Sequence, residues 1–166
     1  MITAQQIIET LGMEPLVPEG GYIKIFHIAD LVLQRKCLPV EYRCEKSICG
    51  TILYLVTKDS FSRMHKLPTD EIYHFYLGDP VEQLQLWPDG SGHIVRLGQD
   101  ILAGEKLQSI APAQCWHGTR LAPGGEFALM GTTMAPAYTD DDYTDGVREQ
   151  LIGSYPDFAK EITERT

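Results

Sequence analysis

The stretch SRMHKLPTDEIYHFYLGDP, residues 62–80, holds two histidines and two acids within ten positions, then three aromatics and a Gly-Asp-Pro stop. Imidazole titrates near neutrality, so His65 suits proton abstraction, and the carboxylate of Glu71 can orient it. A histidine and a carboxylate that meet inside a β-sandwich can equally serve as metal ligands. If EIYHFYL is a strand, alternation puts Glu71, Tyr73, Phe75 and Leu77 on one face and Ile72, His74 and Tyr76 on the other. An acid on an otherwise apolar face is the informative feature, because a buried carboxylate is costly unless paired, hydrogen-bonded or coordinated. His65 comes six residues before Glu71, on a turn-rich approach through Pro68 from which it can curl back.

The elements that must position these groups are short. Thr3 and Gln6 form a capping-box pattern, and Ile7, Ile8 and Leu11 recur at helical spacing before Gly12, which predicts an N-terminal helix. EPLVPEGGY then reads as a turn. From Tyr22 to about Met134 the pattern changes. YIKIFHI, GTILYLVT, EIYHFYLG, VEQLQLWP, GHIVRLG, EKLQSIA, CWHGTRL and EFALMGTTM each read as a strand, with glycine- and proline-bearing turns between them. Many short strands without helix-length crossovers predict an all-β sandwich or barrel. DGVREQLIGS, with Asp145 as N-cap, and PDFAKEITER read as helices packed on its outside. The expected organisation is one domain over 1–166, with the β portion at about 20–138 between an N-terminal helix and turn (1–19) and a helical segment (139–166).

The chain has 166 residues, 43% of them apolar and 22% charged, which suits one buried core. Its formal net charge of −9, without a Lys/Arg cluster, argues against a nucleic-acid partner. The longest apolar runs are strand-length, so no membrane partner is expected. The N-terminus lacks the pattern of a secretory signal, and Cys37, Cys44, Cys49 and Cys115 form no CxxC pair, so a cytoplasmic location with reduced thiols is the expectation.

The opening stretch resembles the first motif of the cupin superfamily, with His65, Glu71 and Gly78 in the places of its first histidine, its glutamate and its glycine. Leu67 stands where the second histidine would be. The wider chain is similar to a small RmlC-like branch, the fifth cupin family, a domain of unknown function. The similarity lies in Gly20–Tyr22, Thr51–Leu55, His65–Pro80, Pro88–Gly90, Leu97–Asp100, Gly104–Gln108, Pro112–Trp116 and Gly131–Pro136. In place of that family's acid and arginine after GGY stand Ile25 and His27.

The resemblance implies a jelly-roll β-sandwich or barrel with a cavity open at one end, paired as a homodimer, that takes a small-molecule ligand. By analogy with sugar-nucleotide epimerases it implies His65 as base, Glu71 as its orienter and a tyrosine, Tyr54 or Tyr76, as acid. His74 belongs to the same motif, as a catalytic candidate. Gln108, Trp116 and Tyr54 are ligand-binding candidates, and His117 stands where metal-binding cupins place their last histidine. His65, Glu71 and His117 would together suit Zn, Ni, Mn or Fe. Three readings therefore stand side by side: an isomerase or epimerase acting on a carbohydrate-like or polar metabolite, a non-catalytic metabolite-binding protein, and a metal-dependent oxygenase or lyase.

Overall fold

Strands that alternate apolar and polar residues must bury one face, and in the computed structural model, which describes residues 2–166, they do so in two facing antiparallel sheets. The first sheet runs β1 (Glu14–Pro15), β2 (Tyr22–Ile28), β5 (Gly50–Thr57), β12 (Phe127–Met134), β7 (Glu71–Gly78), β10 (Gln108–Ala111) in space. The second runs β13 (Thr144–Asp145), β6 (Ser62–Lys66), β11 (Trp116–Leu121), β8 (Val81–Leu86), β9 (Gly92–Leu97). A ribbon of β3 (Val32–Leu33) and β4 (Lys46–Ser47) stands apart. From β5 to β12 the chain passes back and forth between the sheets, which is jelly-roll connectivity. The sheets remain two layers of a sandwich and do not close into a barrel.

Between the layers lies a core of Tyr54, Val56, Tyr73, Phe75, Val81, Leu97, Leu121 and Met130. Each fully buried apolar side chain of this size contributes about 1.5–3 kcal/mol. Helix α1 (Ala4–Leu11), capped by Thr3 and Gln6 as its sequence predicts, covers the outside of the first sheet through Ile7, against Leu55, Phe127 and Leu129. Helices α2 (Arg148–Ser154) and α3 (Ala159–Thr163) cover the outside of the second, where Leu151 and Ile162 meet Met64, Leu84 and Leu86.

Two local expectations are corrected. His65 lies in a strand, not on a turn. SRMHK shows no period-2 pattern because α2 and α3 bury its outer face at Met64 while the sandwich buries Ser62 and His65 on the inner one. Asp145 does not cap α2: it pairs with His65 in β13, and α2 starts after Val147 without a side-chain cap.

Bulges set which residues face inward. In β7 the register slips opposite Leu129 and Met130, leaving Tyr76 without a partner and turning Leu77 to the α1 side, whereas simple alternation keeps it with Glu71. In β2 a slip at Phe26 turns His27 outward and brings Ile28 to the cavity. Among the described residues no helix is long and apolar enough to cross a membrane.

Candidate functional site

Glu71 begins β7 on the first sheet and points into the sandwich. Opposite it, His65 and His117 are register partners on the adjacent strands β6 and β11 of the second sheet, so both imidazoles stand on one inner face. The three side chains are buried, and one ligand atom from each lies within 4.8 Å of the others. Glu71 Oε2 is 3.1 Å from His117 Nε2, 3.9 Å from His65 Nε2 and 3.0 Å from the Tyr73 hydroxyl, which donates to it. The two imidazole centroids are 4.2 Å apart, and the Tyr143 ring stacks on His65 at 5.3 Å.

The backbone assigns the tautomers. His65 Nδ1 lies 2.8 Å from the Arg63 carbonyl and His117 Nδ1 3.2 Å from the Cys115 carbonyl. A carbonyl only accepts, so both Nδ1 atoms carry a proton, and each ring turns its Nε2 toward Glu71, where it offers a lone pair when unprotonated and donates when protonated. Two imidazole nitrogens and a carboxylate oxygen thus converge where a cation or a shared proton holds them together.

Electrostatics follow from burial. Desolvation, and then the neighbouring His117, hold His65 down to about 3 against the pull of Glu71, so the ring is neutral at physiological pH. Desolvation pushes the Glu71 carboxyl up, but the hydrogen bond and charge of His117, with the charge of His65, outweigh it and hold the group below its ordinary value. Desolvation and then the Glu71 charge raise the Tyr73 hydroxyl well above its usual range, which keeps it a donor.

A cavity of about 450 Å³ opens from this cluster. Glu19 stands on its wall, its Oε1 accepting from Ser62 Oγ at 2.8 Å. Burial, then the Glu71 charge, push its carboxyl up to about 8, so it is protonated at neutral pH. Tyr138, Thr139, Asp140 and Tyr143 form another side of the cavity. The turn that carries them is pinned from beneath by the buried pair Lys46–Asp142 at 2.5 Å and by Thr139, to which Lys46 also donates.

His65, Glu71 and His117 therefore meet, and the other candidates stand elsewhere. His74 faces the outside of the first sheet, bonded to Thr133 at 3.1 Å and to Gln108 at 2.9 Å, and Gln108 lies out there with it. Tyr76 is exposed on that outer face, beside Gly131. Tyr54 is in the core, donating to the Gly20 carbonyl at 2.9 Å, behind the cavity wall. Trp116 packs against the cluster beneath α2 and α3, under Lys66. His27 and His93 are exposed. Leu67, at the second-histidine position, lines the cavity with an apolar side chain.

Sequence reasoning missed Glu19, Tyr73 and Tyr143. Glu19 sat in what reads only as a turn. Tyr73 had the one available signal, a hydroxyl two residues from Glu71 on the same strand face.

A family model described as Cupin superfamily (DUF985) matches residues 5–145. A crystal structure of a protein from Shewanella oneidensis is similar to the whole chain, with 25% identity, a TM-score of 0.88 and coverage of 100% of this chain and 98% of that one. A hypothetical protein from Leishmania major gives 23% identity and a TM-score of 0.88, covering 99% of each chain. An oxalate decarboxylase from Bacillus subtilis shares the fold at 11% identity and a TM-score of 0.53, over 93% of this chain and 37% of that one. No curated protein matches. With a two-sheet jelly roll, a motif histidine and glutamate facing its interior, and a family match over most of its length, the chain belongs to the cupin superfamily, in the family of the DUF985 domain.

Proposed function

We propose that this cupin is a metal-dependent small-molecule protein in which His65, Glu71 and His117 hold a divalent cation at the head of the cavity. The observation that carries the reading is the convergence of three buried ligand atoms, two imidazole nitrogens and one carboxylate oxygen, within 4.8 Å. Two nitrogens and one oxygen with an open side toward a cavity suit Zn, Mn, Ni or Fe. Such an ion supplies Lewis-acid polarisation of a ligand oxygen.

The chain's own groups do the rest. The Arg63 and Cys115 carbonyls fix the two imidazoles, Tyr73 orients the carboxylate, and Tyr143 stacks on His65. Glu19 holds a proton at the cavity wall and can deliver it to a ligand.

Metal analysis and titration calorimetry with Zn, Mn, Ni and Fe(II) test the reading. One of these ions is expected to bind at about one per chain, and Glu71→Gln to weaken it by about 100-fold or more. A chain that takes up none of them after reconstitution ends it.

The 3.1 Å His117–Glu71 contact also favours a second reading, because a proton satisfies it as well as a metal does. In that case the site is a metal-free isomerase or epimerase of a polar, carbohydrate-like metabolite, with His65 as base next to a carbonyl. Turnover that persists in excess chelator would select it, and retention of a metabolite without turnover would select a non-catalytic binding protein.

A further inference from the structure

The wall opposite the polar cluster has a chemistry of its own. Register pairing lays two rows across the first sheet that begin at the cluster and end at the rim. One runs Glu71, Met134, Gly50, Ile28, and the other Tyr73, Thr132, Ile52, Ile25. Each row crosses three strand spacings, roughly 14 Å. Beyond its first members each is apolar apart from Thr132. At Gly50 the first row is closed over by its neighbours, since an added Cβ would stand 2.9 Å from Ala137 and 3.1 Å from Ile28. Leu16 and Ile23 extend the same wall.

The second observation is charge. No lysine or arginine is among the described residues that line the cavity, whereas the carboxylates of Glu71 and Asp140 and the protonated Glu19 are. Phosphate and multiply charged ligands are held by guanidinium or ammonium donors, and an acidic lining disfavours them. A polyol would leave most of its hydroxyls unpaired against the isoleucine wall, at a cost for each.

We infer that the cavity takes a neutral amphipathic ligand, with a carbonyl or hydroxyl oxygen at the His65–Glu71–His117 end and an aliphatic body laid across Met134 and Ile52 to Ile25 and Ile28. The inference rests on the cavity being the ligand site, and names the class of molecule that fills it. Ile25 and Ile28, 58% and 43% exposed, form the lip over which the aliphatic end enters.

The test is calorimetry on the full chain, with and without the metal it binds, using unbranched 2-alkanones of four to ten carbons. Octanoate, glucose and glucose 1-phosphate are run alongside. Affinity is expected to rise about fourfold per added methylene until the wall is covered. Ile25→Ser and Ile28→Ser, at exposed lip positions where the fold is not at stake, should each weaken 2-decanone about tenfold and leave 2-butanone unchanged. A flat dependence on chain length overturns the inference, as does tighter binding of octanoate, glucose or glucose 1-phosphate than of 2-decanone. Metal content measured on the same samples separates the two claims. Uptake of metal with a flat alkanone series sinks the ligand class and spares the metal centre. A steep series without metal uptake supports the ligand class and sinks the metal centre.

Discussion

Glu71 and His117 belong to different sheets, 46 residues apart, yet their side chains meet at 3.1 Å in the buried gap between the layers. The contact is therefore a joint of the sandwich as well as a feature of the site. Whatever charge sits between the two groups also ties the sheets together, so metal loading should raise the unfolding temperature in step with occupancy.

His65 sets the acid limit. Its folded-state value, about 3, lies below its ordinary 6.5, so between these values the unfolded chain binds more protons. The stability this supplies is present above about pH 6.5 and is lost as pH falls toward 3. Urea midpoints from pH 7 to pH 4 should fall in the parent chain and fall less steeply in His65→Asn. Parallel curves would mean that His65 is not desolvated.

Glu19 acts on the other limb. Its carboxyl is raised from 4.5 to about 8, so its contribution is complete below about pH 4.5 and is lost as pH rises through 8. Glu19→Gln cannot ionise. Its melting temperature should exceed that of the parent at pH 8 and converge with it near pH 5. A variant with the same offset at both pH values would contradict the shift.

The Lys46–Asp142 pair is fully desolvated, with side-chain exposures of 0% and 2%. Lys46→Met leaves Asp142 buried without its partner and should cost about 3–5 kcal/mol in urea unfolding. Lys46→Met combined with Asp142→Leu should recover much of that loss. Because this pair pins the turn that carries Tyr138 and Tyr143, limited proteolysis of Lys46→Met should cut first between residues 138 and 146.

Leu67→His restores the histidine that the resemblance finds missing. Since Leu67 lines the same cavity as His65 and Glu71, a fourth ligand should tighten Zn or Mn binding by about tenfold or more in calorimetry. Unchanged affinity would show that position 67 faces away from the ion.

Strands rich in β-branched and aromatic residues between turn signals were legible from sequence, and β2, β5 and β7 match their expected limits. So was the meeting of His65 with Glu71, because a carboxylate on an apolar strand face needs a partner. What escaped detection depends on long-range packing. The strand around His65 is buried on both faces, by an element 80 residues further on, and no local period records that. Tyr76 and His74 share a motif with Glu71, but alternation and a bulge turn them outward. Glu19 owes its protonated state to burial in the folded sandwich and then to the charge of Glu71, 52 positions away, neither of which a single stretch of turn residues can reveal.

The edge of β6 has a second guardian beyond its short pairing with β13. Met64, next to His65, donates its N–H to the Arg165 carbonyl at 2.8 Å, and Arg165 is wholly buried, donating to the Glu82 carbonyl at 3.1 Å. The segment that follows α3 is thus a latch on the backbone of the site. Replacing Arg165 would loosen the footing of His65 without touching a single residue of the cavity.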